Sequence, residues 1–218
     1  YSAAVEKPSY TYATGSSAVS LTVSFSLDMS TMPKSPFTDV VAGSWYFDAA
    51  LYASSHNLML GTSPTEFSPN ITMTRGMLVT VLYRMNGSPS VSGKTPFTDV
   101  RTDEWYSAAV LWAYQNGIVT GMSDTTFDPI NNVTREQMAT ILFRYTKTAA
   151  PDKAKASADL SGFADAGSVN DWAVDAMRWA VGQKLIAGIT LEQSVYLQPR
   201  GNATRAQAAT VLTRYYAQ

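Results

Sequence analysis

Three arginines occupy a helix position at which a positive charge is unfavourable. Each of them, Arg75, Arg135 and Arg205, directly follows a threonine that can cap a helix. The aligned peptide dipoles make the first helical turn positive, so a guanidinium there costs roughly 0.3–1 kcal/mol. A carboxylate or phosphate held by free backbone N–H groups and by the guanidinium would offset this cost. The recurrence therefore predicts anion binding at these helix starts.

A structural alternative is that each arginine extends back and pairs with a local acidic side chain or carbonyl group. That alternative explains a single copy well. It explains three copies at the same unfavourable position less well, so the anion site is the preferred interpretation.

The helix that opens at Arg135 has the most regular sequence of the three. Thr134 and Gln137 have the spacing of a capping box, in which the hydroxyl accepts from the third helical amide and the glutamine reaches back. The spacing recurs at Thr204 but not at Thr74, where the second and third residues that follow are a glycine and a methionine. Apolar residues then recur at steps of three and four, namely Met138, Ile141, Leu142 and Tyr145. This period predicts an amphipathic helix with one buried face.

A second arginine follows nine residues after the first in every copy, at Arg84, Arg144 and Arg214. Nine residues make about two and a half helical turns, so these side chains are expected on the opposite side of each helix. A cation near a helix C-terminus is favourable, which predicts a structural role for them.

The chain repeats from Pro36 onward. Each unit opens with a phenylalanine and, two residues later, an aspartate, at Asp39, Asp99 and Asp165. These aspartates are expected to form an Asx-turn or a cap that leads into a short first helix. A tryptophan stands before each of these helices, and the spacing of Trp105 with Trp112 predicts an aromatic stripe that faces the core. The third unit repeats this stripe.

Each first helix is followed by a glycine and a loop that ends in proline. The helices are expected to end near Asn57, Gly117 and Lys184, and the first two of these residues tolerate a left-handed turn. The loop of the third unit is three residues longer than the other two, and the step from the loop proline to the arginine is six residues every time. Residues 87–96 and 146–162 have the composition of exposed linkers.

The N-terminal segment differs in composition from the repeats. Apolar and polar residues alternate from Val19 to Met29, which predicts a long, half-buried strand. A single strand is not stable alone, so it must pair with residues 7–13, with the helical body or with another domain. A small hairpin, or a strand that belongs to a preceding β domain, is favoured.

Composition excludes several classes of function. With 45% hydrophobic and 15% charged residues the chain can bury a sizeable core, and no apolar run is long enough to span a bilayer. A net charge of -1 without a basic run argues against nucleic acid and anionic membranes as partners. The chain has no cysteine and one histidine, His56, near the end of a predicted helix, where a capping role is expected. No metal site or cofactor is predicted.

The order of these features resembles the S-layer homology domain, in three consecutive repeats over residues 36–218. The second repeat carries the motif most completely, with Gly121, Asp124, Phe127, Pro129 and Thr134-Arg-Glu-Gln137. The resemblance implies a mainly α fold, with three helix–loop–helix repeats in a pseudo-threefold arrangement around a central three-helix bundle and an N-terminal β segment. The domains would be residues 1–35 for that segment and residues 36–90, 91–150 and 151–218 for the repeats.

The resemblance also implies an extracellular function at the bacterial cell wall. Domains of this family anchor surface proteins non-covalently by binding secondary cell-wall polysaccharide, typically a pyruvylated amino sugar, and neighbouring surface-layer proteins are further possible partners. The arginine of the Thr-Arg motif binds the ketal carboxylate, which points to Arg135 and Arg205 first and then to Arg75. Loop and helix-start residues would hold the sugar, namely Gly121, Gly61, Gly188, Thr134, Thr204, Thr74 and Asp124. Enzyme activity is not implied, and the first repeat, with its altered motif, is expected to have a poor pocket.

Two other functions are compatible with the residues. A structural scaffold for protein–protein assembly at the cell surface would bury the arginines in internal ion pairs. A glycan hydrolase would need two carboxylates that face one cleft. Asp124 and Glu136 are near one another in sequence, but the pair does not recur in the other repeats.

Overall fold

The computed structural model describes residues 10–14, 17–21 and 34–217, and the chain divides into one unit of residues 1–34 and another of residues 35–218. In the first unit, strand β1 (Tyr10–Thr14) pairs antiparallel with β2 (Ser17–Leu21), with Tyr10 opposite Leu21. This pairing confirms the small hairpin. The remainder of the predicted strand, residues 22–29, lies outside the described residues.

The second unit is mainly helical, as the repeat pattern predicts. Its α-helices within residues 34–217 are α1 (Phe47–Ser55), α2 (Arg75–Met85), α3 (Ser107–Gln115), α4 (Arg135–Ala149), α5 (Val174–Gly182) and α6 (Arg205–Tyr216). Each repeat therefore contributes a short first helix and a longer second helix. The left-handed turns expected at Asn57 and Gly117 are confirmed, with φ of 56° and 67°, and Lys184 also has a positive φ of 58°.

The second helices begin where the threonine caps predict. Thr134 and Thr204 both form complete capping boxes with the glutamine three residues later. Thr74 accepts from the amide of Met77 alone, because methionine cannot return the second hydrogen bond. The local sequence therefore determines these three helix starts.

Helices pack across the boundaries between repeats. The second helix of each repeat lies against the first helix of the following one, so that α2 packs on α3, α4 on α5, and α6 returns to α1. The loop residues Phe67 and Phe127 are fully buried, and each ring packs on the phenylalanine that opens its own repeat. Burial of these apolar faces supplies the main favourable free energy of the fold.

Backbone hydrogen bonds also join the three repeats in a closed cycle. The amide of Met73 donates to the carbonyl of Ala203 (2.8 Å), Val133 donates to Met73 (2.9 Å), and Ala203 donates to Val133 (2.9 Å). Each donor is the residue directly before a capping threonine. The helix starts of the three repeats are thereby held next to one another.

The segment after α4 is more structured than a linker. Its first residues continue α4, the buried Thr146 among them, and a 3-10 helix follows at Pro151–Lys155. The indole nitrogen of Trp179 donates to the carbonyl of Lys153 at 2.9 Å, which ties this segment to α5. The segment predicted as an exposed linker is therefore mostly exposed, but part of it is helical.

The longer loop of the third repeat forms a small hairpin. Strand β3 (Ile189–Leu191) pairs antiparallel with β4 (Ser194–Tyr196). The extra residues therefore extend the loop outward as a two-stranded ribbon and leave the spacing to the next helix start unchanged.

Candidate functional site

The three helix-start arginines reach across to the loop of the following repeat. The Nε of Arg75 donates to the carbonyl of Phe127 at 2.9 Å, and the side chain of Arg75 is buried. The other two arginines form the same contact, Arg135 with Leu197 at 2.7 Å and Arg205 with Phe67 at 2.9 Å. The partner is therefore a carbonyl, as the structural alternative allowed, but it belongs to another repeat.

An aspartate holds each of these carbonyl-bearing loops in place. The two carboxylate oxygens of Asp99 accept from the amides of Phe127 (2.9 Å) and Asp128 (2.7 Å). Asp39 accepts in the same way from Phe67 and Ser68, and Asp165 from Leu197 and Gln198. The expected Asx-turn or helix cap was wrong, because each carboxylate binds backbone that lies about thirty residues further along the chain and closes the loop.

Burial shapes the electrostatics of the arginines. It lowers the pKa of all three guanidinium groups, and the nearby charges of Asp128, Asp165 and Asp39 oppose this for Arg75, Arg135 and Arg205 respectively. Arginine nevertheless stays protonated in proteins. Within the part of the chain that the structure describes, the ion pairs are Arg101–Asp103 and Lys155–Asp152. The scaffold hypothesis requires internal ion pairs that neutralise the three arginines, and none of the three arginines forms such a pair among these residues.

The backbone amides at the helix starts are already occupied. For α4, the amide of Arg135 donates to Gly201, that of Glu136 donates to Pro199, and that of Gln137 donates to the hydroxyl of its cap, Thr134. The starts of α2 and α6 are satisfied in the same way by their neighbouring repeats. The expectation that free N–H groups would hold the anion was wrong, because the cyclic contacts between repeats use those donors.

One groove, here called groove A, lies beside Arg75 and has a volume of about 310 Å³. It combines all three repeats: Arg75 from the first, a loop and a helix face from the second, and an indole from the third. Its lining is Arg75, Val119, Thr120, Gly121, Met122, Gln137, Thr140, Ile141, Arg144 and Trp172. None of these described residues is acidic.

A second groove, groove B, is built in the same way one repeat further on, with a volume of about 390 Å³. Arg135 takes the place of Arg75, and the indole comes from the first repeat. The lining is Trp45, Arg135, Leu185, Ile186, Ala187, Gly188, Ile189, Gln207, Thr210, Val211 and Arg214. Carboxylates are again missing from the lining, and strand β3 forms one edge.

Two of the second set of arginines, Arg144 and Arg214, line these grooves, whereas Arg84 lies outside both linings. Arg144 shares groove A with Arg75, and Arg214 shares groove B with Arg135. Burial has the largest effect and lowers the pKa of Arg75, and the charge of Asp128 opposes this. The positive charge of Arg144, a smaller effect, lowers the pKa further. Arg144 donates to the hydroxyl of Thr120 at 3.3 Å and Arg214 donates to the carbonyl of Leu185 at 3.1 Å, contacts that agree with the structural role predicted for these residues. The spacing along one helix was read correctly, but each groove takes its two guanidinium groups from two helices.

The tryptophans before the first helices are exposed, which corrects the prediction that Trp105 and Trp172 belong to the core. Trp45 is 66% exposed and Trp172 is 55% exposed, whereas Trp112 and Trp179 are buried as expected. Helical spacing misled here because Trp105 and Trp172 precede the first residue of α3 and α5, so the helical period does not apply to them. Their recurrence in every repeat was the available signal.

The corresponding region around Arg205 differs from both grooves. The Nη2 of Arg205 donates to the carbonyl of Leu60 at 2.6 Å, in addition to the Nε contact with Phe67. Met77 stands where grooves A and B have a glutamine. This guanidinium is therefore more fully engaged inside the protein than those of Arg75 and Arg135.

The remaining predicted site residues fall into two groups. Gly121 and Gly188 line grooves A and B, whereas Gly61 lies in the loop beside Arg205. The threonines Thr74, Thr134 and Thr204 act as helix caps and lie outside the lining of both grooves. Asp124 is exposed and also lies outside it.

Other sites considered from the sequence have simple structural explanations. His56 is the C-terminal cap of α1, and its Nδ1 lies 2.9 Å from the carbonyl of Tyr52, which confirms the capping role. Asp124 and Glu136 do not face either groove. Among the described residues no cluster of side chains is arranged to hold a metal ion, and no helix there is long and apolar enough to cross a membrane.

Comparison with known proteins agrees with the repeat structure. The S-layer homology domain model matches residues 36–76, 96–139 and 162–209, which together make up more than half of the chain. The chain belongs to the S-layer homology domain family. The three matched segments each contain one Thr-Arg helix start and the loop before it.

Relatives of these S-layer homology repeats include surface proteins and large enzymes. The chain is 33% identical to an endoglucanase of Bacillus sp. (strain KSM-635) over 82% of its own length and 18% of that protein. It is 31% identical to the surface-layer 125 kDa protein of Lysinibacillus sphaericus over 71% of its length and 12% of that protein. An amylopullulanase of Thermoanaerobacterium thermosulfurigenes is 28% identical over 81% of the chain and 9% of the relative.

The chain thus spans less than a fifth of the length of these relatives, and their enzymatic names describe much longer proteins. What they share with the chain is its S-layer homology region. The family and the surface-layer relatives support cell-wall anchoring of a surface protein.

Proposed function

We propose that this S-layer homology chain is a non-catalytic, extracellular module that binds an anionic, pyruvylated secondary cell-wall polysaccharide in grooves A and B. The observation that carries the proposal is the same in both grooves: two guanidinium groups and an exposed indole face one cleft, and no carboxylate is found among the described residues that line it. A carboxylate on a sugar would match these guanidinium groups.

Each groove offers separate contacts for the charge and for the ring of a sugar. Arg75 uses its Nε for the carbonyl of Phe127, and its guanidinium forms no ion pair with any of the residues that the structure describes. In groove A, Arg144 adds a second positive charge, and Trp172 presents an aromatic face on which the apolar side of a sugar ring can pack. Gln137 and Thr140 supply amide and hydroxyl groups for the sugar hydroxyls.

Two grooves on one module suit a repeating polymer. When one groove is occupied, the second binds a tethered segment of the same chain at high effective concentration, so avidity exceeds the affinity of either site. Arg205 remains a candidate ligand residue in this proposal. We expect it to contribute less than Arg75 and Arg135, because its Nη2 already donates to Leu60.

The proposal includes a pseudo-threefold arrangement with the repeats at residues 36–90, 91–150 and 151–218 and with α2, α4 and α6 as a central bundle. It is supported by contacts that recur in the order first to second, second to third and third to first repeat. The arginine contacts and the backbone cycle through Met73, Val133 and Ala203 both follow this order.

The test is binding to a pyruvylated wall polymer before and after acid removal of its ketal groups. An Arg75→Gln, Arg135→Gln double variant is expected to bind at least tenfold more weakly, because each lost charged contact is worth about 1.5–3 kcal/mol. Arg178→Gln is the matched control, since it also loses a contact of its Nε with a carbonyl, that of Ala158, and lies outside both grooves. The proposal would be refuted if the folded double variant bound the polymer as tightly as the unmodified chain does. It would also be refuted if the unmodified chain bound the polymer equally well after removal of pyruvate.

A further inference from the structure

Glu136 is a buried acidic side chain without a cationic partner among the described residues. It is 2% exposed, and neither of the two recorded ion pairs includes it. Its Oε2 instead accepts from the amide of Asn170 at 3.0 Å, and its Oε1 accepts from the side-chain amide of Asn170 at 2.5 Å. A buried carboxylate is costly unless it is well hydrogen-bonded, so this contact explains how Glu136 is tolerated.

Asn170 is placed where it controls an element of groove A. It is the residue directly before the short 3-10 helix Asp171–Ala173, whose central residue is Trp172. Trp172 is largely exposed and lines groove A. Glu136 itself lies on α4, the helix that forms the opposite side of this junction. The Glu136 carboxylate therefore links α4, which forms one wall of the groove, to the residue that precedes the 3-10 helix of Trp172.

The other two repeats support their tryptophans in a different way. A tyrosine follows directly, and the rings pack edge to face, with centroids 5.2 Å apart for Trp45 and Tyr46 and 5.1 Å apart for Trp105 and Tyr106. Ala173 takes the tyrosine position after Trp172, so this ring contact is missing there. An exposed indole without that neighbour has more freedom to move.

The helix that faces each tryptophan segment also differs between the repeats. At the position of Glu136 in α4, the helix α2 has Gly76, which faces Tyr106. A Cβ atom on Gly76 would lie 3.4 Å from Tyr106 and 2.9 Å from the carbonyl of Pro129, so a side chain there would require one of these neighbours to shift. The three junctions thus combine glycine with tyrosine at Gly76 and Tyr106, alanine with tyrosine at Ala206 and Tyr46, and glutamate with alanine at Glu136 and Ala173.

We infer that Glu136 is a positioning residue that holds Trp172 in groove A through Asn170 and replaces the tyrosine support of the other repeats. This inference rests on the proposed function only for the consequence that a fixed indole strengthens glycan binding. The mechanical part, that Glu136 restrains Trp172, stands on the contacts alone.

The first experiment needs no ligand. The full chain is labelled with 5-fluorotryptophan, and the fluorine NMR signal of Trp172 is assigned by Trp172→Phe. Glu136→Ala is expected to shift and narrow this signal, because the indole becomes more mobile, and to leave the signals of Trp45 and Trp105 unchanged. Glu66→Ala, at an exposed position, is the matched control. An unchanged Trp172 signal in Glu136→Ala would overturn the inference.

A transplant separates positioning from a general loss of stability. Glu136→Gly with Ala173→Tyr recreates the pair found between α2 and the second repeat. This double variant is expected to restore a restrained Trp172 signal, whereas Glu136→Gly alone is not. If Glu136→Ala does not fold, Glu136→Gln is used instead, because glutamine keeps the volume and one acceptor oxygen. The Trp172 signal is then expected to shift by less than the shift that the transplant reverses. Failure of the double variant to restore the signal counts against the inference.

The functional consequence is measured in a Trp45→Ala background, in which groove B is impaired. Glu136→Ala is expected to weaken binding of pyruvylated polymer about fivefold, and the transplant is expected to recover most of that loss. If the unmodified chain does not bind the polymer, the proposed function fails, and the NMR result still decides whether Glu136 positions Trp172.

Discussion

The Nε of Arg75 donates a hydrogen bond at 2.9 Å to the carbonyl oxygen of Phe127, and the ring of Phe127 lies 4.8 Å from the same guanidinium carbon. Arg205 and Phe67 form the same pair of contacts across the boundary between the third and the first repeat. A helix start in one repeat is thus completed by a loop of the next. No repeat can build its own groove, because the guanidinium, the loop and the indole come from three different repeats.

This arrangement makes Asp99 a stability residue. Asp99→Asn keeps one acceptor oxygen and replaces the other with an N–H donor, which then faces the amide of Phe127 or Asp128. A loss of about 1–3 kcal/mol in the free energy of unfolding is expected, measured by urea denaturation. Asp103→Asn, in an exposed ion pair, serves as the control and should leave the free energy of unfolding nearly unchanged. Equal effects of the two substitutions would contradict this role.

Gly121 is expected to tolerate no side chain. Its φ is +83°, and a Cβ would lie 2.5 Å from the carbonyl of Ser123 and 2.6 Å from the ring of Phe97. Gly121→Ala should therefore destabilise the protein by about 2–4 kcal/mol, the sum of left-handed strain and overpacking. Gly117→Ala isolates the strain, because its φ is +67° but its Cβ would have no neighbour within 4 Å. Thermal unfolding of both variants compares them, and a smaller effect at Gly121 would show that the loop can move aside.

Arg144 is predicted to contribute to binding. Arg144→Ala should weaken binding of pyruvylated polymer by about tenfold and reduce the dependence of affinity on ionic strength, because one of two cations leaves groove A. The matched control is Arg84→Ala, at the same position of α2. Calorimetric titration at two salt concentrations measures both quantities. A purely structural Arg144 would instead lower the melting temperature and leave the affinity of the folded protein intact.

Tyr145 is predicted to make the fold sensitive to alkaline pH. Burial, helped by the charge of Tyr215, raises the pKa of the Tyr145 phenol above its ordinary value of 10.0. The unfolded chain therefore loses this proton at lower pH than the folded protein does. Stability is complete below about pH 10 and decreases as the pH rises through the folded-state pKa. Tyr145→Phe should show a shallower loss of unfolding free energy in this range, measured by denaturant titration at several pH values. Parallel pH curves for the two proteins would rule this out.

Local sequence determined the helix starts, the repeats and the family. Capping by Thr134 and Thr204, the weaker cap at Thr74 and the left-handed turn at Asn57 all depend on residues within a few positions of one another. Interactions of this range can be read from spacing alone. The mainly helical character of residues 34–217 and the order of the elements follow from them.

Tertiary structure decided how the repeats share their residues. The contact of Arg205 with Phe67 joins residues 138 positions apart, and no local pattern specifies which loop an arginine will meet. The same long-range packing occupied the helix-start amides, left Trp172 exposed in groove A, and placed Arg144 beside Arg75. Spacing along one helix reports the direction of a side chain on that helix only. The neighbour that it meets depends on how the repeats close into a cycle.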